Sequence, residues 1–259
     1  MAIIIKTDEE IALLREAGRI NALALEALRS AVKPGVSTAE LDAIAEDVLR
    51  SHGAEPAFLG YPNPDPRHSD RPYPATITAS INDELVHGIP SRRTLLHEGD
   101  IVSLDCGCVY RGFVGDAAFS IGVGSVSQEA SKLLRVTEEA LFKAIDVSRI
   151  GFRLGDVSAA IQQHAESHGY NVVREYTGHG VGRSMHEDPQ IPNWGGAGTG
   201  PRLRQGMTYA LEPMIMVGSP RVYVKSDRWT VATKDGGLCA HFEHAVAITD
   251  GATEILTVL

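Results

Sequence analysis

The sequence predicts an α+β fold made of two similar halves that are related by a pseudo-two-fold axis. The first observation is an internal repeat, since Ser51-His52-Gly53 recurs as Ser167-His168-Gly169, 116 residues later. Gly35 matches Gly151 at the same offset. The second observation is that each half runs from helix-like to strand-like sequence. Because self-similarity in a constant register marks repeated units, we expect each half to supply two helices and then strands.

The first 53 residues predict two helices. Apolar residues recur at helical spacing from Asp8 to Val32, and Lys33-Pro34-Gly35 then interrupts the pattern. Ser37 is suited to cap the second helix, because Glu40 stands three residues later and completes a capping box. Gly53 is expected to end that helix. The segment Glu129–Gly169 repeats this helix–break–helix plan.

The strand regions of the two halves also correspond. His97–Asp105 resembles Arg204–Glu212, and this alignment makes their final carboxylates equivalent. Val86-His87 likewise parallels Met185-His186. A central antiparallel sheet with outer helices is therefore expected. Acidic and histidine side chains should gather where the two halves meet.

We expect residues 1–259 to form a single catalytic domain whose halves cover about 8–125 and 126–259. Two segments, Gly60–Pro74 and Val181–Gly200, are rich in glycine and proline and predict loops. No separate core precedes the first of them, so it is not a linker between domains. Both loops are candidates to line a cleft.

Asp105 and Asp116 form the most informative pair in the chain. They lie on two strand-like runs joined by Val109–Gly112, and a hairpin centred there would set them almost opposite each other. Opposed Cβ atoms of an antiparallel pair lie roughly 4.5–5.5 Å apart. Two carboxylates this close among apolar neighbours need a proton or a cation between them. A bound metal ion is the favoured explanation.

Three further residues could complete a metal site. His179 stands between two glycines, which leave its imidazole free of neighbouring side chains, although such a motif alone is weak. Glu212 ends an apolar strand and Glu243 enters another, and a buried glutamate needs a partner. His241 and His244 are expected at the surface or the rim of the site.

Four carboxylates and one imidazole suit hard to borderline divalent ions such as Mn, Fe, Co or Zn. The four negative charges could balance two such ions, and two ions about 3.5–4 Å apart can share a bridging hydroxide. The alternative is four separate buried acids, each with its own Arg or Lys. The neighbouring sequence does not obviously supply those cations.

Composition excludes several classes of protein. The net charge of −9 and the lack of a basic cluster argue against nucleic-acid and anionic-membrane partners. Three cysteines do not suggest a disulfide framework, and we expect them to be reduced, as in the cytosol. The first ten residues have too short an apolar run for a signal peptide. No apolar stretch is long enough to span a bilayer, so a soluble cytoplasmic protein is expected.

These motifs together resemble type I methionine aminopeptidases, which have the pita-bread fold. Besides the aspartate hairpin, the resemblance depends on six segments: Ser80–Pro90, Gly178–Arg183, His186-Glu187, Leu211-Glu212-Pro213, Trp229–Asp235 and Glu243-His244. It extends from near the first helix to the last strand. The resemblance implies a hydrolase that removes the initiator methionine from nascent proteins whose second residue is small.

The resemblance also implies a role for each site residue. It implies that two divalent ions of Co, Mn, Fe or Zn are bound by five residues: Asp105, Asp116, His179, Glu212 and Glu243. Glu212 would also orient and deprotonate the attacking water. His186 would stabilise the developing oxyanion. His87 would contact the substrate amide near the leaving nitrogen.

The methionine pocket is expected to include Tyr61, Thr78, Met185 and Trp229, next to His87 and His186. Two of these depart from the usual family pattern. Met185 stands where many relatives have Phe, so this wall is more flexible and polarizable. Thr78 occupies a position that is often Cys in bacterial relatives. Neither departure falls on an expected metal ligand.

The expected partners are the N-termini of nascent polypeptides, with the ribosome as a further candidate, and the expected state is a monomer. Three alternatives stay open. An aminopeptidase P or prolidase usually carries an extra N-terminal domain, whereas the first helix here begins within ten residues of Met1. A type II methionine aminopeptidase would carry a helical insertion between His186 and Glu212. A non-catalytic relative would have lost metal ligands.

Overall fold

The computed structural model describes residues 2–259. Its α-helices are α1 Asp8–Ala31, α2 Thr38–Ser51, α3 Gln128–Val147 and α4 Leu154–Ser167. Its strands are β1 Glu55–Pro56, β2 Ile77–Ile81, β3 Glu84–Val86, β4 Ile101–Tyr110, β5 Phe113–Gly122, β6 Asn171–Val172, β7 Thr177–Gly180, β8 Glu187–Pro192, β9 Thr208–Leu211, β10 Met214–Met216, β11 Val222–Val224, β12 Val231–Thr233, β13 Cys239–His241, β14 Glu243–Ala247 and β15 Glu254–Ile255. The predicted α+β class is confirmed.

The helix pairs follow the predicted repeat. The Ser37 side chain accepts a hydrogen bond from the amide of Glu40, and the Glu40 carboxylate accepts one from the Ser37 amide, so the capping box is present. The glycines of the repeat also share conformations, because Gly35 and Gly151 have φ values of 89° and 101°. This left-handed region favours glycine, which explains why both breaks carry it.

The main sheet is antiparallel, with strand order β1-β4-β5-β14-β9-β7-β8, and β2 and β15 pair with β4 and β14. Its centre joins the two halves, because β5 of the first half pairs with β14 of the second. Strand β4 lies beside β5 and also pairs with β2, and in the same way β9 lies beside β14 and also pairs with β7. The predicted two-fold plan with a central sheet is therefore present in the strand order.

The hairpin that carries the aspartates has a different register from the predicted one. Tyr110 pairs with Phe113, so the turn contains only Arg111 and Gly112, with φ values of 49° and 79°. Two positive φ values define the two-residue turn that matches strand twist. As a result Asp105 faces Ala118 and is the diagonal neighbour of Asp116. Both side chains still lie on one face, with more room between them for an ion.

The opposite face of this hairpin packs against α1. Cys106 and Cys108 are buried there, and the Asn21 amide donates to the Cys106 carbonyl oxygen over 2.6 Å. A Cβ atom on Gly115 would lie 2.5 Å from the Ala17 carbonyl oxygen. Helix α1 can therefore approach the strand closely only because this residue is glycine. The contact holds the backbone next to Asp116 in place.

The cysteine prediction agrees with the structure, since Cys106, Cys108 and Cys239 are all free and buried. Strand β6 is short, because only Asn171 and Val172 pair with β10. The loop 181–200 also contains an unpredicted strand, β8. Among residues 2–259, no helix is both long and apolar enough to cross a membrane.

Candidate metal centre and substrate cleft

All five predicted ligands line one cleft of about 490 Å³. Adjacent strands supply them: Asp105 comes from β4, Asp116 from β5 and His179 from β7. Glu243 opens β14, and Glu212 directly follows β9. The sequence places each acid at the edge of an apolar run, so sheet formation carries the carboxylates into the interior together with their neighbours. Four of the five are nearly buried, and Glu212 is slightly more open.

Three of these side chains already approach the geometry of a metal site. Asp116, His179 and Glu243 each offer a ligand atom, and these atoms lie within 4.8 Å of one another. Nε2 of His179 lies 3.6 Å from Oδ2 of Asp116 and 3.4 Å from Oε1 of Glu212. Distances of this size are too long for good hydrogen bonds. They leave space for an ion between the groups.

The tautomer of His179 is fixed by its neighbour in the chain. Nδ1 lies 3.0 Å from the carbonyl oxygen of Gly180, which can only accept, so Nδ1 carries the proton. Burial, with a contribution from His186, lowers the pKa of His179 to about 3. The ring is therefore neutral, and the Nε2 lone pair points at the carboxylates. This orientation by a backbone carbonyl is typical of histidines that bind metals.

Among residues 2–259, no cationic side chain offsets the negative charge of these carboxylates. Burial raises the pKa of Asp105 well above its ordinary range, and the neighbouring Asp116 raises it further. Burial and the two aspartates do the same to the pKa values of Glu212 and Glu243. Burial also raises the pKa of Asp116. These groups cannot all be ionised in a dry site without a cation to offset their repulsion.

Two buried carboxylate oxygens without hydrogen-bond partners show whether the residues fit a metal ion. Oδ1 of Asp105 and Oε1 of Glu243 are buried and have no hydrogen-bond partner among the described residues. A buried carboxylate oxygen without a partner costs free energy that a coordinated cation would recover. The donor set of four carboxylates and one neutral imidazole suits borderline divalent ions. The residues present therefore fit a divalent metal.

His186 and His87 both line the cleft. The ring centroid of His186 lies 4.3 Å from that of His179, and its Nδ1 lies 2.6 Å from the Tyr61 hydroxyl. His87 follows β3 with a φ of 61°, a rare conformation for a non-glycine residue. Burial and then His186 lower the pKa of His87 to about 4, so this ring is neutral too.

The predicted pocket residues also line the cleft. Trp229 is anchored by a hydrogen bond from its Nε1 to the Arg71 carbonyl oxygen over 3.1 Å. Thr78 pairs with Asp105 across β2 and β4, which places it beside the metal site. Met185 packs over Gly107, where a Cβ atom would lie only 2.8 Å from the methionine Cε atom. Aromatic and thioether surfaces therefore surround the ligands.

The prediction for His241 is wrong, because this residue is buried and lines the cleft. Its two ring nitrogens have no hydrogen-bond partner among the described residues, and Nε2 lies 3.7 Å from Oε2 of Glu243. The run Cys239–His241, flanked by Phe242, carried the same apolar signal that identified Glu243. His244 is partly buried, and its Nδ1 bonds the Thr257 hydroxyl at 2.8 Å.

Sequence reasoning also missed three aromatic residues of the cleft wall: Phe58, Tyr73 and Tyr176. Tyr73 lies in the predicted loop Gly60–Pro74, and its ring packs edge-on against Trp229 with 5.1 Å between centroids. The prediction that this loop lines a cleft is confirmed by Tyr61, Pro64 and Tyr73. The same prediction for the loop 181–200 is confirmed, because Met185, His186 and Gln190 also line the cleft.

The model of metallopeptidase family M24 matches residues 12–250. The chain belongs to this family. It is similar to a methionine aminopeptidase of Clostridium acetobutylicum, with 50% identity over 255 residues that cover 98% of each chain. A methionine aminopeptidase structure from Thermotoga maritima matches with a TM-score of 0.95 and 46% identity over 100% of both chains. The predicted resemblance and the pita-bread fold are confirmed.

Peptidases that act on Xaa-Pro bonds share the fold at lower identity. A Xaa-Pro dipeptidase structure from Bacillus anthracis matches with a TM-score of 0.76 and 25% identity. The match covers 98% of this chain but only 61% of that chain. The methionine aminopeptidases, in contrast, match over almost their entire length.

Proposed function

We propose that this chain is a metal-dependent aminopeptidase that removes the N-terminal initiator methionine from nascent proteins when the second residue is small. The observation that carries the proposal is the group formed by Asp116, His179 and Glu243 at the base of a cleft with aromatic walls. Similarity to methionine aminopeptidases along nearly the whole chain supports the substrate class.

The proposed centre holds two divalent ions of Co, Mn, Fe or Zn at Asp105, Asp116, His179, Glu212 and Glu243. Their four carboxylates would balance the charge of two such ions. Bound there, the ions would supply Lewis acidity and lower the pKa of a water molecule. The orphaned oxygens of Asp105 and Glu243 support this assignment.

Glu212 is proposed as the group that moves protons. It is the most accessible of the four carboxylates, directly after the end of β9, and its Oε1 lies 3.4 Å from Nε2 of His179. It would accept a proton from the attacking water and pass it to the leaving nitrogen. A carboxylate beside the attacking water can take up a proton and release it again, as general acid–base catalysis requires.

His186 is proposed to stabilise the oxyanion at the scissile carbonyl. When the Tyr61 hydroxyl donates to Nδ1, the neutral ring keeps its proton on Nε2, which can then donate to the carbonyl oxygen. His87, also neutral, would contact the substrate amide near the leaving nitrogen. A preorganised donor of this kind stabilises charge that develops only in the transition state.

The methionine side chain is proposed to lie among Tyr61, Thr78, Met185 and Trp229, between His87 and His186. Thioether and aromatic groups attract each other, which favours methionine over an aliphatic chain of similar size. The carboxylates of the metal site would hold the positively charged α-amino group. A substrate therefore needs a free N-terminus, as expected for an exopeptidase.

We further propose that residues 1–259 act as one catalytic domain of two halves, about 8–125 and 126–259, and that the protein is a cytoplasmic monomer. Its partners would be the N-termini of nascent chains, at the ribosome or after release. The net charge of −9 argues against direct contact with nucleic acid.

A peptide series tests the proposed activity. We expect release of methionine from Met-Ala-Ser, little release from the acetylated peptide, and none from Met-Trp-Ser. Ala-Pro-Ser serves as the substrate of the competing class. Preferential cleavage of the Xaa-Pro bond, or no cleavage of Met-Ala-Ser under reducing conditions with added metal, would overturn the proposal.

A further inference from the structure

A second group of metal-binding side chains lies outside the cleft, on the helix pair α3–α4. Glu139 comes from α3, His164 from α4, and His168 is the residue that ends α4. Each offers one ligand atom, and these atoms lie within 4.8 Å of one another. The three side chains are partly exposed, so an ion in solution can reach them.

The spacing of these atoms suits a single ion. Nε2 of His164 lies 3.0 Å from Oε2 of Glu139, and the two imidazole centroids are 4.6 Å apart. Ligands bound to one tetrahedral zinc at about 2.0–2.1 Å are separated by roughly 3.3 Å. Two histidines four residues apart project from the same side of a helix. Only small movements would bring all three atoms onto one ion.

The tautomer of His168 suits a metal ligand. Its Nδ1 lies 2.9 Å from the carbonyl oxygen of His164, which can only accept a hydrogen bond, so Nδ1 carries the proton. In the neutral ring, Nε2 then keeps a free lone pair. Histidines that bind metals commonly donate their other ring N–H to a backbone carbonyl in this way.

Comparison with the first half of the chain shows which of these residues is needed only to end the helix. His52 is the repeat counterpart of His168, and its Nδ1 likewise lies 2.9 Å from the carbonyl oxygen of Val48. The residues that correspond to His164 and Glu139 are Val48 and Leu23, which cannot bind an ion. Ending the helix therefore accounts for His168 alone. It does not account for the histidine and the glutamate placed beside it.

We propose that Glu139, His164 and His168 form a second divalent-metal site, suited to Zn²⁺, with a water molecule in the open position. Two imidazoles and a carboxylate are a common zinc donor set. Arg135 binds the other carboxylate oxygen, Oε1 of Glu139, at 2.7 Å and leaves Oε2 for the ion. Lys132 donates to the His168 carbonyl oxygen and not to its ring.

The ion at this site would join α3 to α4. Because it binds atoms that only the folded chain brings together, it would raise the melting temperature. It would not take part in peptide hydrolysis, since the ligands belong to the outer helices and not to the cleft. The inference is independent of the activity proposed above.

Zinc binding to matched variants tests the site. The metal-loaded enzyme is dialysed against increasing free Zn²⁺, and bound zinc per chain is measured for wild type, His164→Ala and Glu139→Gln. His52→Ala is the control, because it removes the equivalent cap histidine where Val48 and Leu23 stand in place of the other two ligands. We expect wild type and His52→Ala to bind one more zinc ion than His164→Ala and Glu139→Gln, with equal methionine release by all four.

Nuclear magnetic resonance of the imidazole nitrogens supplies a second measurement. On zinc addition the His168 Nε2 resonance should shift in wild type and stay in place in His164→Ala, while the His52 resonances do not move. Equal zinc content in wild type and His164→Ala, or an unshifted His168 resonance at saturating zinc, would overturn the proposal.

Discussion

Nζ of Lys6 lies 2.7 Å from Oε2 of Glu187, and both side chains are almost fully buried. The other carboxylate oxygen of Glu187 accepts hydrogen bonds from the amides of Arg183 and Ser184. This pair joins the start of the chain to the turn that carries His186. The N-terminal segment, through a contact between residues 181 positions apart, therefore helps to position the neighbouring cleft residue His186.

Replacing Lys6 should destabilise the protein strongly. Lys6→Met leaves Glu187 buried and unpaired, and breaking a buried ion pair from one side costs about 3–5 kcal/mol. Urea unfolding should show this loss. The double variant Lys6→Met/Glu187→Gln removes the stranded charge and keeps the amide acceptor, so it should regain most of the stability. A double variant as unstable as the single one would contradict this account.

Removing the Tyr61 hydroxyl should lower activity more than stability. Tyr61→Phe leaves Nδ1 of His186 without its partner, and a hydrogen bond of about 0.5–1.5 kcal/mol corresponds to a roughly two- to tenfold loss of kcat/KM. The control is Tyr73→Phe, because the buried Tyr73 hydroxyl lies within hydrogen-bond distance of the carbonyl oxygens of Ile77 and Gly88 and donates its one proton between them. That variant should lose stability. Equal kcat/KM values for Tyr61→Phe and wild type would exclude the role of this contact.

Adding one methyl group at Gly107 should narrow the cleft. A Cβ atom there would lie 2.7 Å from Cε1 of Phe58 and 2.8 Å from Cε of Met185, the ends of two side chains that can shift. Gly107→Ala should therefore fold, with a higher KM for methionine peptides. Gly196→Ala is the control, because its Cβ would make an ordinary contact of 3.6 Å with Thr199. An unchanged KM for Gly107→Ala would show that this wall does not contact substrate.

His87 should stay neutral across the neutral pH range. Burial lowers its pKa to about 4 in the folded chain, whereas an unfolded histidine titrates near pH ~6.5. Folding then favours the neutral ring, so this contribution to stability is complete above pH ~6.5 and is lost as the pH falls through about 4. Its Cε1 proton, assigned with His87→Gln, should titrate near pH 4. A midpoint near 6.5 would contradict this.

Local signals predicted much of the fold and the site. Capping residues and helical periodicity indicated the helix pairs, because hydrogen bonds within a few residues set where a helix begins. The four acids of the proposed centre could be recognised because acids beside apolar strand residues are carried into the interior with their neighbours. The histidine between two glycines, His179, was recognised as the proposed nitrogen ligand.

Features that depend on distant contacts were missed. The hairpin register differed because Arg111-Gly112 forms a tighter turn than the four residues assigned to it. His241 was expected at the surface or the rim of the site, yet β13 pairs with β10 and His241 is buried. Lys6 and Glu187 carry no local sign that they pair across most of the chain. Such contacts arise only once the sheet has assembled.

The most direct test of the central claim compares methionine release from Met-Ala-Ser by wild type and Asp116→Asn. Both proteins are treated with chelator and then titrated with Co²⁺ or Mn²⁺. Wild type should lose activity with chelator and recover it with added metal, whereas Asp116→Asn should stay inactive while its circular dichroism spectrum matches that of wild type. Full activity in chelated wild type, or metal-restored activity in Asp116→Asn, would contradict a metal centre built on these residues.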